Sequence, residues 1–285
     1  MKKILLFGAS GNLGQQIART AKEAGHELTV VVRNRRKAEQ LSGTTRNAII
    51  ADITQCHELK GICTGFDVVI SALGKSVSPN DKSRPSFTDI DFSANSFILD
   101  EAMQSGIKKF VYVSAFNAER YLHLEYFKAH HDFTEKLMAS GVNYSIIKPP
   151  ALFSAFLDLI DMAKKGRLMN IGEGDKKTNP IYEGDLAKIC VDSIAGDKAV
   201  IEAGGAKVYT RKELNQIIQK EAAPGKRTIT IPAVLVKGVL PLVKVVDRNM
   251  YAKVAFFLEV IQHDIIAPQM GETDFVEYIR RKAGS

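Results

Sequence analysis

The stretch Ile4-Leu5-Leu6-Phe7-Gly8-Ala9-Ser10-Gly11-Asn12-Leu13-Gly14 decides how the rest of the chain is read. Four apolar residues predict a buried strand, and the pattern from Asn12 to Ala24 predicts a helix directly behind the turn. The three glycines have different tasks. Gly8 permits the tight turn, Gly11 lets backbone approach a pyrophosphate, and Gly14 lets helix and strand pack closely. The helix N-terminus, with Ser10, Asn12 and Leu13 around Gly11, offers unpaired N–H groups and a partial positive charge that suit a diphosphate. A glycine triplet alone says little. A strand before it and a helix after it supply the context that a dinucleotide site requires.

Outward from that turn, Leu28–Val32 is a continuous apolar run typical of a parallel strand covered on both faces. In NAD sites an acidic residue about twenty positions past the glycine turn accepts hydrogen bonds from the ribose hydroxyls. Here Arg33 stands at the strand end, followed by Asn34, Arg35 and Arg36. A carboxylate repels a 2′-phosphate, whereas a guanidinium grips one through two parallel bonds. Arg33 and Arg36 therefore point to NADP(H) over NAD(H).

A third strand, Asn47–Ala51, ends in Asp52-Ile53. A fourth, Asp67–Ser71, runs into Ala72-Leu73-Gly74, an end compact enough for backbone to lie against an adenosine and its ribose. Helices near Thr88–Ser105 and Glu125–Ser140 flank a fifth strand, Lys109–Val113, with Ser114 at its end. A sixth, Asn143–Ile147, ends in Lys148-Pro149-Pro150. Strand and helix alternating over about 150 residues is the pattern of an α/β, doubly wound parallel sheet. Ligands gather at the carboxyl ends of such strands, and Gly8, Arg33, Asp52, Ala72, Ser114 and Pro149 all fall there. The polar loop from Lys75 to Phe87 reads as either a mobile flap or a plain surface loop.

Past Pro150 the pattern changes. A short helix is expected near Ser154–Lys164, another after Asn179–Ala187, a third capped by Thr210, and a mostly helical remainder from Pro232. The expected organisation is a dinucleotide-binding domain over 1–150 and a smaller, mostly helical substrate lobe over 151–285, with 179–195 packing back on the first domain. The apolar run Ala151–Ile160 reads as either a cleft wall or a helix interface.

The composition is ordinary for a globular chain of 285 residues, 45% hydrophobic and 25% charged. The net charge of +7 is spread without a long basic run, which argues against nucleic acid. Cys56, Cys63 and Cys190 lack metal-ligand spacing, and so odd and sparse a set fits reduced thiols in the cytoplasm. The first strand is too short, and wrongly followed, for a signal peptide. The longest apolar region, Ile229–Val246, contains Pro232, Lys237, Pro241 and Lys244 and reads as a partly buried helix rather than a membrane span. The expectation is a cytoplasmic protein acting on a small molecule, with no metal, nucleic-acid or membrane partner.

GASGNLG over Gly8–Gly14, Ala72-Leu73-Gly74, FVYVSA over Phe110–Ala115 and the strand-then-Lys148-Pro149 segment resemble the atypical and extended short-chain dehydrogenase/reductases. Within them the chain is most similar to the NmrA-like NAD(P)H-binding group, and Asn179–Ala187 resembles the segment that re-enters the core of those proteins. The resemblance is specific to about residue 190 and general beyond. It implies a Rossmann fold and a bound nicotinamide dinucleotide. It also implies a serine, a tyrosine and a lysine four residues past the tyrosine, the lysine holding the ribose and lowering the tyrosine pKa so that the phenol can pass a proton. Ser114 matches the serine. Counting back without gaps from Ser140-Gly141, Tyr126 takes the tyrosine position and His130 the lysine position. Anchoring on Lys128 instead leaves Leu124 where a phenol is needed. Tyr126 and His130 share a helix face while Lys128 lies nearly opposite, so the first register is preferred. In it His130 hydrogen-bonds the ribose and, when protonated, lowers the tyrosine pKa, less effectively than lysine does.

Three functions compete. An NADPH-dependent oxidoreductase reducing a small carbonyl, quinone or similar acceptor uses Ser114, Tyr126 and His130 as its catalytic residues. A non-catalytic NADP(H)-binding regulator with a protein partner needs only the dinucleotide site, and the altered motif favours it. A nucleotide-sugar epimerase or dehydratase needs an intact tyrosine and lysine and ranks last.

Overall fold

The computed structural model describes residues 1–284. Strands β1 (Lys3–Phe7), β2 (Glu27–Val32), β3 (Ala48–Ile50), β4 (Val68–Ser71), β5 (Lys109–Val113), β6 (Tyr144–Lys148) and β9 (Ala199–Glu202) form a seven-stranded sheet in the order β3-β2-β1-β4-β5-β6-β9. Every pairing in it is parallel. The α/β Rossmann architecture expected from the strand–helix alternation is the one observed. Chain order reverses at β1, whose neighbours are β2 and β4, so the carboxyl ends of β1 and β4 open a crevice at the switch point.

Burial explains the unpatterned apolar runs. Residues Ile4 to Phe7 are fully buried, because a parallel strand under helices has no solvent face. Leu5 and Phe7 pack in one cluster with Val69, Tyr112 and Ile146 of the sheet and with Ile98, Leu99, Phe133 and Leu137. The last four belong to helices α3 (Asn95–Gln104) and α4 (Glu125–Ala139). Helix α1 (Asn12–Glu23) packs through Ile17, Ala18 and Ala21, and its neighbour is α6 (Glu183–Asp192).

Strand β9 is absent from the sequence reading. It is four residues long and its burial alternates, so its apolar signal is weak. The buried ammonium of Lys109 sits at that edge. It donates to the carbonyls of Gly196 (2.8 Å), Asp197 (2.9 Å) and Tyr144 (3.1 Å), which ties the turn before β9 to β6. The helix expected over Thr88–Ser105 also differs in its first half: Thr88–Ala94 is a wider π-helical stretch leading into α3.

The chain forms two compact units, described separately. The first holds Met1–Lys75, Pro85–Lys148 and Glu183–Glu202. The second holds Ser76–Arg84, Pro149–Tyr182 and the chain from Ala203 onward. The second unit thus contains the tip of the long polar loop as well as the C-terminal part. There Lys253 donates to the carbonyls of Ser78 (2.9 Å) and Asp81 (2.7 Å), and the Ser78 hydroxyl donates to Asp158. The loop is therefore a tethered one.

The second unit pairs β7 (Met169–Ile171) with β11 (Ile229–Ile231) and β8 (Lys177–Thr178) with β10 (Tyr209–Thr210). Its helices are α5 (Leu157–Lys164), α7 (Arg211–Ala222), α8 (Ala233–Val246), α9 (Arg248–Val260) and α10 (Phe275–Ala283). Phe153, Phe156 and Ile160 pack with Leu214, Ile218, Phe275 and Tyr278, so the apolar run Ala151–Ile160 contributes to this core. Thr210 caps α7 in a reciprocal box with Glu213. The region 229–246, expected as one partly buried helix, is a strand followed by α8. Pro232 separates them, and the outer face of α8 is exposed.

Candidate functional site

The glycine turn joins β1 to α1, and its three glycines differ in what surrounds them. Gly8 has φ +77°, and a Cβ there would meet the Ala72 carbonyl oxygen at 2.5 Å. A Cβ on Gly14 would lie 2.1 Å from the Gly8 oxygen. Both positions are closed to any side chain by backbone. Gly11 is exposed, and a Cβ there meets only the Gly8 oxygen, at 3.4 Å. Gly11 is also the N-cap of α1, makes no side-chain cap, and is followed by a first turn without a carboxylate. The positive end of the α1 dipole therefore lies at an exposed turn with no carboxylate to offset it, a chemistry that suits a diphosphate. Ser10 accepts the Gln15 side chain on its carbonyl (3.2 Å), Asn12 is exposed, and Leu13 is buried under the turn.

At the end of β2, Arg33 and Arg36 are exposed on either side of Asn34, whose side chain caps helix α2 (Arg35–Gln40) through the Lys37 amide at 3.0 Å. Among the described residues neither arginine forms a salt bridge. Asp52 follows β3, and its carboxylate accepts the Thr54 amide (3.0 Å) and hydroxyl (2.7 Å). Those two bonds, with a smaller contribution from Arg33, hold its pKa below the ordinary value. Ile53 packs on the sheet core. After β4, the Ala72 amide donates to the Phe7 carbonyl (3.1 Å), which clamps the β4 exit to the glycine turn. Leu73 packs inward, and Gly74 is exposed with Asp91 close behind it.

Behind the ends of β4 and β5 lies a buried polar cluster, which the sequence reading identified only in part. Asp91, fully buried on the π-helical stretch, accepts the Lys75 amide at 3.1 Å. Its backbone carbonyl accepts the Asn95 side chain (3.1 Å), and Asn95 in turn accepts the Ser71 hydroxyl (2.6 Å). His130 Nε2 lies 3.5 Å from Asp91 Oδ1, and its Nδ1 lies 2.7 Å from the Tyr112 hydroxyl. The ring of Tyr126 stacks edge-on against His130, with centroids 4.7 Å apart, and against Phe87 at 5.3 Å. Lys128 points away and pairs with Asp132 at 2.6 Å. The expected register therefore brings Tyr126 and His130 together.

The protonated form of His130, already the minor one at pH 7 for an ordinary histidine, is disfavoured further in the fold. Burial pushes its pKa down to about 3, so the ring is neutral at physiological pH and cannot lower the Tyr126 pKa. Burial, with Asp91 nearby, raises the Tyr126 phenol above its ordinary value. Burial likewise raises Asp91 well above the usual carboxylate range. Ser114 is buried, its hydroxyl 3.1 Å from that of Thr134. Pro149 follows β6 and belongs to the second unit.

Asp91, Asn95, Tyr112 and Thr134 were missed. A signal existed for the first two. Asp91, Ala94, Asn95, Ile98, Leu99 and Ala102 recur at helical spacing, which places a carboxylate and an amide on the buried face.

The NAD(P)H-binding family matches residues 8–232, from the glycine turn to the end of β11. The chain belongs to this family. It is 28% identical over 234 residues to the photosystem II assembly factor Ycf39 of Guillardia theta, a match covering 80% of this chain and 73% of that protein. Its fold is similar to that of the NADPH-dependent quinone oxidoreductase of Escherichia coli, solved with NADPH, at TM-score 0.70 and 19% identity, covering 98% of this chain and 99% of the other. The UDP-Glc/GlcNAc 4-epimerase of Campylobacter jejuni is similar at TM-score 0.73 and 14% identity, covering 99% and 98%. At these identities the structural likenesses establish the Rossmann fold and leave the reaction to the site. Among the described residues no helix is long and apolar enough to cross a membrane.

Proposed function

We propose that this chain is an NADP(H)-dependent oxidoreductase that reduces a quinone or a similarly conjugated acceptor. The observation that carries this reading is His130, neutral and buried where a reductase of the resembled superfamily places a lysine. Gly11 and the first-turn amides of α1 would hold the pyrophosphate, and Arg33 and Arg36 the 2′-phosphate. The bound dinucleotide supplies hydride.

The acceptor class follows from what the chain can do with a proton. Hydride addition to an isolated carbonyl leaves an alkoxide, which needs a proton from the protein at once. Addition to a quinone leaves an oxygen conjugated with an aromatic ring, an anion about as stable as tyrosinate and able to take its proton from water. Tyr126, held protonated, donates a hydrogen bond to such an oxygen without having to ionise. His130 and Asp91 position its ring.

NADPH and NADH binding by titration calorimetry, followed by NADPH oxidation with aldehydes, ketones and quinones, tests the proposal. Turnover with quinones above that with saturated carbonyls is expected; turnover confined to saturated carbonyls would sink it. A second reading, an NADP(H)-binding assembly or regulatory protein, is supported by the same altered motif and by the similarity to the Guillardia theta assembly factor. Selective NADPH binding with no turnover on any acceptor is its signature.

A further inference from the structure

Helix α8 presents an apolar face that the fold leaves uncovered. Val236, Leu240 and Val243 are half-buried on its inner side, next to α9. On the outer side Val234 (70% exposed), Leu235 (62%), Leu242 (69%), Val245 (87%) and Val246 (86%) recur at helical spacing and form one stripe. Gly238 and Pro241 lie within it, so no side chain of the stripe can make a hydrogen bond. Ile229 of β11 is exposed as well. From Ala222 to Val246 the chain carries Lys226, Arg227, Lys237 and Lys244 and no carboxylate. Lys237 and Lys244, seven residues apart, line one edge of the stripe. They are steadied there by Gln262 (2.6 Å) and by the Tyr251 ring (5.2 Å).

We propose that α8 is an interfacial anchor, which lies in the headgroup–acyl boundary of an anionic lipid bilayer with its outer face in the acyl region and its lysines at the phosphates. Three physical arguments favour lipid over protein. A protein interface of this size carries aromatic anchors and hydrogen-bonding groups, and this stripe has neither. A second copy docked face to face would set the same basic rim against itself. An aliphatic stripe beside cations, with no acid for 25 residues, instead matches the chemistry of an anionic membrane surface. Length sets the mode of binding. A helix of 14 residues is about 21 Å long, short of the ~30 Å hydrocarbon core, so α8 lies along the bilayer rather than through it. This departs from the sequence reading, which expects no membrane partner, and it is independent of the reaction proposed above.

Co-sedimentation of the full chain with vesicles of equimolar phosphatidylglycerol and phosphatidylcholine, and with phosphatidylcholine alone, tests the anchor. The expected result is binding to the anionic vesicles, about tenfold or more weaker on the neutral ones and weakened by salt. The double variant Leu242→Asp/Val245→Asp should lose at least roughly tenfold in vesicle affinity while its circular dichroism and NADPH affinity stay unchanged, because both side chains already face solvent. Absence of vesicle binding by the native chain overturns the proposal, as does full binding by the double variant. A dimeric mass in solution that the double variant converts to a monomer overturns it too, by assigning the face to a second copy.

Discussion

Gly14 and Gly11 offer a paired test, because the structure gives them different tasks. A Cβ on Gly14 would lie 2.1 Å from the Gly8 oxygen and 2.7 Å from the Ala9 Cα, and backbone atoms have no rotamer to escape into. Gly14→Ala must therefore push α1 away from β1. Overpacking of this kind costs roughly 1–3 kcal/mol, here at the upper end, and the ~1 kcal/mol that alanine gains inside a helix offsets only part of it. A net loss of about 2 kcal/mol corresponds to a Tm lower by roughly 4–8 °C. At Gly11 the added methyl meets nothing closer than 3.4 Å, and the backbone already holds φ −77°, which alanine adopts freely. Gly11→Ala should leave Tm within about 2 °C of the native value. The same methyl occupies the approach of the pyrophosphate. Loss of one charge-assisted hydrogen bond, about 1.5–3 kcal/mol, weakens NADPH binding roughly 10- to 150-fold. Scanning calorimetry reads the first effect and titration calorimetry the second. A native Tm in Gly14→Ala, or native NADPH affinity in Gly11→Ala, refutes the reasoning.

Arg33→Ala should weaken NADPH about tenfold or more and leave NADH within about twofold in titration calorimetry; equal losses would remove the 2′-phosphate assignment. Tyr126→Phe should lower quinone turnover only about 2- to 12-fold, the worth of one neutral hydrogen bond, with NADPH affinity unchanged. A thousandfold drop would mean that the phenol passes a proton. The Asp91–His130 pair predicts how stability follows pH. Asp91, raised in the fold, binds a proton that the unfolded chain lacks above pH ~4, so its contribution falls as pH rises. His130, lowered to about 3, contributes with the opposite sign between there and the ordinary histidine value near 6.5, so the two offset each other in mildly acidic solution. Asp91's own contribution declines by up to about 1.4 kcal/mol per pH unit as pH rises, until its raised folded pKa is passed. Tm measured from pH 4 to 9 should show a contribution that falls with rising pH in the native chain and is absent in Asp91→Asn; identical profiles would show that Asp91 is ionised in the fold.

The geometry of the glycine turn was legible because it is local. A glycine required by backbone contact and a helix that starts without a carboxylate lie at the turn itself, and Arg33 stands at the end of the next strand. The proton half of the site was not. Tyr126 and His130 were placed on one helix face from their spacing, and the structure keeps them together. Their protonation depends on Asp91, Tyr112 and Phe87, which reach them from other parts of the chain.

The strands hidden from the pattern follow the same division. β1, β2 and β4 announce themselves as apolar runs because parallel strands are covered on both faces. β9 is short and alternates, and it joins the sheet by pairing with β6, while Lys109 holds the turn before it through the Gly196 and Asp197 carbonyls. The outer face of α8 makes the point in reverse. Its apolar residues read as candidates for burial, and only the packed fold shows that they stay exposed among the described residues. Hydrophobic period and turn chemistry are properties of neighbours along the chain, and they were sufficient for the Rossmann sheet and its glycine turn. Desolvation is a property of neighbours in space, and so the charge of His130, the proton on Asp91 and the exposure of α8 were decided by the tertiary structure alone.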